Sequence, residues 1–128
     1  MEYKKVIAFD LDDVLCQRNI ENNTIEKYAL CEPIQRNIDI VNNLYDNGYK
    51  ILIYTARGMI TLKGDLNKIE TVLRDITEKQ LSKWGVKYHK LHMGKIFYDV
   101  LIDDKALNSY RMKNVDFITD FFKEAHSL

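Results

Sequence analysis

The chain has 128 residues, the size of one compact domain, so a single core and a single site are expected over residues 1–128. Lysine plus arginine equal aspartate plus glutamate at 19 each, which argues against a global positive field for nucleic acid or an anionic membrane and favours a small-molecule partner. No apolar run nears the roughly 20 residues of a membrane span, Met1-Glu2-Tyr3-Lys4-Lys5 is unlike a secretory signal, and Cys16 and Cys31 lack metal-ligand spacing, so a soluble protein of the reducing cytoplasm is expected.

The first element in chain order is Val6-Ile7-Ala8-Phe9, a continuous apolar run of the kind found in strands buried on both faces of a parallel sheet. It ends in Asp10-Leu11-Asp12-Asp13-Val14, and residues 11–32 then read as a long irregular loop. Pro33 suits the first turn of an amphipathic helix, whose apolar positions Ile34, Ile38, Val41, Leu44 and Tyr45 recur at helical spacing until Gly48 stops them. A second apolar strand, 51–54, leads into Thr55-Ala56-Arg57-Gly58 and an irregular stretch at 56–64. Asp65 is a candidate N-cap for a helix marked by Ile69, Val72, Leu73, Ile76, Gln80, Leu81 and Trp84, with Gly85 as its stop. A weaker strand at 86–91 follows, with His89 and His92 read as packing or surface residues rather than ligands. Lys95, after Gly94, precedes a fourth apolar strand at 98–102 that ends in Asp103-Asp104. The tail at 115–125 carries Phe117, Ile118, Phe121 and Phe122 and fits either an edge strand or a helix.

The β-α-β-α-β order implies right-handed crossovers and an α/β fold, a parallel sheet with helices on both faces. Ligands of such sheets bind at the carboxyl ends of the strands, where both long loops leave. If the first and fourth strands are neighbours, their carboxylates crowd one edge and repel unless a cation lies between them. Oxygen-only donors in a partly open site suit magnesium and, through it, phosphate. At the same edge Thr55 offers a hydroxyl and Arg57 a planar fork suited to a substrate carboxylate or phosphate. Taken singly, each has a bland alternative: a solvated acidic turn, a locally bonded strand-end hydroxyl, an ordinary surface charge.

Together these segments resemble the haloacid dehalogenase (HAD) superfamily of phosphatases and phosphotransferases, four of whose short motifs have candidates between residues 10 and 104. Asp10-Leu11-Asp12-Asp13-Val14 matches the first, which implies Asp10 as nucleophile and Asp12 as general acid and base. Ile51-Leu52-Ile53-Tyr54-Thr55 matches the second, implying that Thr55 binds the transferring phosphoryl group, beside Ala56 and Arg57. Lys95 best matches the lysine of the third, with Lys90 and Lys105 as competitors, and Val100-Leu101-Ile102-Asp103-Asp104 matches the fourth. The resemblance implies a three-layer α/β/α sandwich, doubly wound and mainly parallel, and Mg2+ held by Asp10, Asp104, Asp103 and the carbonyl of Asp12. Asp12 as a proton donor argues for hydrolysis over dehalogenation, because a leaving halide needs no proton.

A narrower resemblance is to short bacterial capsule-biosynthesis phosphatases, carried by Phe9-Asp10-Leu11-Asp12, Thr55-Ala56-Arg57, Gly94-Lys95 and Tyr98-Asp99 with Ile102-Asp103-Asp104. It implies a sugar phosphate or a phosphorylated substituent as substrate. About 20 residues separate Val14 from Ile34, too few for the cap domain that many relatives carry, so a capless, open site is expected. Closure then falls to the loop at 16–30, the loop at 58–64, or a neighbouring subunit in a homo-oligomer. One rival is a phosphatase of nucleotides or small metabolites; another, of a different class, is a non-catalytic receiver-like module that binds phosphate or metal.

Overall fold

The computed structural model describes residues 2–19 and 24–124. Strand β1 (Val6–Phe9) ends in a tight turn, from which strand β2 (Cys16–Gln17), helix α1 (Glu26–Ala29) and strand β3 (Glu32–Pro33) follow. Helix α2 (Gln35–Asp46) returns the chain to strand β4 (Lys50–Tyr54). A helical passage then runs through α3 (Leu66–Lys68), a π-helical turn (Ile69–Leu73) and α4 (Arg74–Lys83) to strand β5 (Lys90–His92). A 3-10 turn (Ser109–Arg111) and helix α5 (Asp116–Lys123) complete the described elements.

The fold is α/β. Its sheet has β4 at the centre, with β1 and β5 on either side, all parallel; β2 and β3 form a separate antiparallel pair. The register sets Phe9 opposite Ile53 and Ile53 opposite Leu91, so Asp10, Thr55 and the chain after His92 emerge at the same end of the sheet. Ile51 and Ile53 are fully buried, packed in one core with Ile38, Val41 and Leu44 of α2 and Leu81 of α4. Burying each such side chain contributes roughly 1.5–3 kcal/mol. That packing fixes the height at which Thr55, two residues beyond Ile53, leaves the strand.

Two local features hold the loops of this end. After β1, the carbonyl of Leu11 accepts N–H bonds from Val14, Leu15 and Cys16, and Asp13 takes a left-handed φ of 68° to close the turn. After β4, Gly58 has φ 84°, and a Cβ there would lie 2.6 Å from Leu73 Cδ1 and 2.8 Å from Ile69 Cγ1. The loop carrying Arg57 therefore packs its backbone directly against the π-helical turn.

Several expectations are corrected. Pro33 lies in β3, opposite Cys16, and α2 begins after it with Ile34 at its N-cap position, because the hairpin extends the chain up to that point. The stretch at 11–32 contains β2 and α1 rather than a plain loop; of the two readings open for the tail, the helix is the one found, as α5. Residues 98–102 form no strand: Val100, Leu101 and Ile102 are exposed and make no ladder to β1. A groove of ≈850 Å³ is lined by β1, by residues of the 98–110 segment, and by Ile118, Phe121 and Phe122 of α5. Apolar composition favours burial but specifies no partner strand, and here β1 pairs with β4 alone while its residues and those of the 98–110 segment line the groove.

Candidate functional site

Asp10 is the first residue past β1, half-buried, with its Oδ1 accepting the Leu11 N–H at 2.8 Å. Lys95 Nζ stands 3.6 Å from the other oxygen, Oδ2. Burial raises the carboxyl of Asp10 above its usual range, and the Lys95 charge only partly offsets that. Lys95 itself is well held: its N–H donates to the Thr55 carbonyl at 3.1 Å, and its ammonium lies 5.5 Å from the Tyr54 ring and 5.2 Å from the Tyr98 ring. Of the three lysines the sequence left open, Lys95 is the one that forms an ion pair with Asp10; Lys90 is exposed on β5, and Lys105 lines the groove beyond β1.

Thr55 is buried at the end of β4, where its N–H donates to the His92 carbonyl at 3.0 Å. Its Oγ1 accepts the Arg57 N–H at 3.1 Å, which leaves the hydroxyl proton to donate elsewhere. Asp10, Thr55, Ala56 and Lys95 together line a cavity of ≈700 Å³ at the carboxyl end of the sheet.

Asp12 and Arg57 line the same cavity but are wired to each other. Arg57 Nε reaches Asp12 Oδ2 at 3.1 Å and Nη2 reaches Oδ1 at 3.0 Å, a bidentate pair. The remaining donors turn inward, Nη1 to Thr77 Oγ1 at 3.0 Å and Gln80 Oε1 at 2.6 Å, Nη2 also to Cys16 Sγ at 3.5 Å. The guanidinium carbon lies 5.2 Å from the Tyr28 ring centroid, and Tyr28 Oη accepts the Gly58 N–H at 3.1 Å. Arg57 is 1% exposed, so the fork that sequence reasoning offered to substrate instead orients Asp12. Burial is the largest single influence and would lower the guanidinium pKa, but the charge and hydrogen bonds of Asp12, together with Cys16 and Cys31, make the net shift upward.

The acidic end of the 98–104 segment is built differently. Asp103 and Asp104 are exposed, and Asp103 Oδ1 accepts the Lys105 N–H at 2.9 Å to form a surface turn. Asp103 lines the groove that Asp10 and Lys95 also line, whereas Asp104 lines neither cavity. The four aspartates expected to share a metal are thus not drawn into one cluster. Among the described residues, the three side chains close enough to share an ion are Asp12, Cys16 and Cys31, with ligand atoms within 4.8 Å of one another. Sequence reasoning missed this trio because β2 and β3 bring together cysteines that are far apart in the chain. The Arg57 guanidinium already lies against it, and the Cys16 thiol is pushed up by its hydrogen bond with Cys31, by burial and by Asp12. A buried cation therefore sits where an ion would bind.

Thr77, Gln80 and Tyr28 were also missed; the one signal in the sequence is that Gln80 falls on the apolar face of its helix. His89 is a packing residue: its Nδ1 accepts the Ile51 N–H at 2.9 Å and its ring stacks on Tyr45.

No family model matches the chain, and no curated protein matches it significantly. Among solved structures it is similar to the crystal structure of an MCSG target from Vibrio cholerae, at 29% identity over 93% of this chain and 98% of that one, with a TM-score of 0.77. It is also similar to chains in structures of the Pnkp1/Rnl/Hen1 complex, described in one of them as an RNA repair complex, at 19% identity and TM-scores of 0.56 and 0.53. Those matches cover 96% and 94% of this chain but 35% and 32% of the larger ones, and at that identity they show a shared fold alone. No helix among the described residues is long and apolar enough to cross a membrane.

Proposed function

We propose that this chain is a phosphomonoester hydrolase of the HAD type, with Asp10 as its nucleophile and a sugar phosphate or phosphorylated substituent of capsule biosynthesis as its substrate. The observation that carries the reading is the Asp10 carboxylate at a strand end, facing an open cavity with the Lys95 ammonium 3.6 Å away and Thr55 at the end of the adjacent strand. Asp10 attacks phosphorus in line with the leaving oxygen, forming an aspartyl-phosphate and breaking the ester P–O bond. Lys95 and the Thr55 hydroxyl stabilise charge on the phosphoryl oxygens, a role that needs donors held in place beforehand. Asp12, whose carboxylate is held by Arg57, takes a proton from the water that cleaves the acyl phosphate, and it gives one to the departing alkoxide in the first step only if it is protonated there and releases one of its Arg57 bonds.

Asp10 and Asp103 line one groove and are oxygen-only donors, a set that suits Mg2+ and not a soft ion. Asp10 and Asp103 would hold it with the carbonyl of Asp12, whereas Asp104, exposed and lining neither cavity, stays outside the set. When bound, it neutralises phosphate charge that otherwise repels the attacking carboxylate. The test is release of inorganic phosphate from p-nitrophenyl phosphate with magnesium. Many turnovers per chain are expected, stopping in excess EDTA; at most one equivalent released would sink hydrolysis in favour of a receiver-like module, and full rates in EDTA would remove the metal.

A further inference from the structure

Charges lining the ≈700 Å³ cavity pair off with one exception. Arg57 is bonded to Asp12, Arg18 to Asp13 at 3.0 Å, and Lys95 faces Asp10. Lys27 on α1 also lines the cavity, yet among the described residues it has no carboxylate partner. It is nonetheless 8% exposed. Its Nζ lies 5.2 Å from the Tyr28 ring centroid, a contact that steadies an ammonium without neutralising it. Lysines are almost never this buried without a counter-charge, because desolvating the ammonium is costly. A cavity that is otherwise balanced and carries one surplus buried cation is complementary to an anion arriving with the ligand.

The scissile phosphate already has Lys95 and Thr55, which stand with Asp10 at the strand ends, whereas Lys27 projects from α1. The cavity lining also includes the exposed apolar side chains Ile60, Ile96 and Phe97. The space exceeds what a lone phosphate needs and falls in the range of small-molecule sites. Building on the hydrolase reading, we propose that Lys27 binds a second anionic group, a carboxylate or a phosphate, on the leaving part of the substrate. The preferred substrates are then phosphomonoesters carrying two anions, one cleaved and one used as a handle.

The experiment compares kcat/KM for matched pairs: 3-phosphoglycerate against glycerol 1-phosphate, and fructose 1,6-bisphosphate against fructose 6-phosphate. Wild type is expected to favour the doubly anionic member of at least one pair by about tenfold or more, and the pair with the larger ratio distinguishes carboxylate from phosphate. Lys27→Met should bring that ratio close to one, while Lys27→Arg should keep most of it, with circular dichroism checking the fold of each variant. A wild-type ratio near one in both pairs, or a ratio that survives Lys27→Met, overturns the proposal while leaving hydrolysis intact. Should wild type hydrolyse none of the four, p-nitrophenyl phosphate turnover still decides the hydrolase reading, and calorimetry on the Asp10→Asn variant decides the binding claim. Tighter binding of the doubly anionic member, lost on adding Lys27→Met, upholds it; equal or undetectable binding of both overturns it.

Discussion

Two acidic segments carry nearly the same sequence signal, an apolar run ending in aspartates, and the structure treats them in opposite ways. At residues 10–13 the run is a strand paired to β4, Asp10 is half-buried against Lys95, and Asp12 is locked into a buried guanidinium. At residues 98–104 the run makes no ladder, its apolar side chains are exposed, and Asp103 serves a surface turn. The difference shows what would make a carboxylate the reactive group proposed for Asp10. Burial, a neighbouring cation and a fixed rotamer do so, and a motif does not supply them by itself.

The largest expected effect tests the buried end. Asp10→Asn preserves shape and the Leu11 N–H bond but removes the proposed nucleophile, so kcat should fall by about 10⁴-fold or more with an unchanged circular dichroism spectrum. Activity within tenfold of wild type would mean that the buried end is not where the chemistry occurs.

Asp12→Asn should lower kcat by about 10²–10⁴-fold, and it should also destabilise the fold, because Arg57 would remain buried without its anion. Breaking a pair of this kind costs roughly 3–5 kcal/mol, measurable as a lower urea midpoint. An unchanged midpoint would show that the guanidinium is not committed to Asp12 as described.

Gly58→Ala probes the loop that carries Arg57. The added methyl meets Leu73 and Ile69 and the backbone sits at φ 84°, so a loss of about 1–3 kcal/mol is expected in the same denaturation assay. No loss would show that the loop can lift away from the π-helical turn.

Much of the buried end is legible in the sequence because its determinants are local. Continuous apolar runs mark β1 and β4, helical spacing marks Ile38, Val41 and Leu44, and Asp65 caps its helix as read, accepting the Lys68 N–H at 3.2 Å. The fate of Arg57 is not legible, because its partners Thr77 and Gln80 come from a later helix and a long side chain can turn either way. Lys27 is hidden for the same reason: on a four-residue helix it has no period to betray burial. The 98–102 segment misleads because an apolar run signals burial but names no partner, and here the run makes no ladder and its side chains are exposed.

The smallest structural effect belongs to the exposed end, and it sharpens the comparison most. Asp103→Asn should leave stability within about 0.5 kcal/mol of wild type, since the side chain is exposed and its turn bond from Lys105 can be kept by an amide oxygen. If Asp103 helps hold magnesium from the groove it shares with Asp10, the magnesium concentration giving half-maximal rate should nonetheless rise by about tenfold or more. That combination, a silent change in folding with a large change in metal dependence, is what a ligand on a solvent-exposed segment predicts and a decorative surface acid does not. A magnesium dependence identical to wild type would confine the site to the cavity of Asp10, Thr55 and Lys95 and remove the second acidic segment from the chemistry.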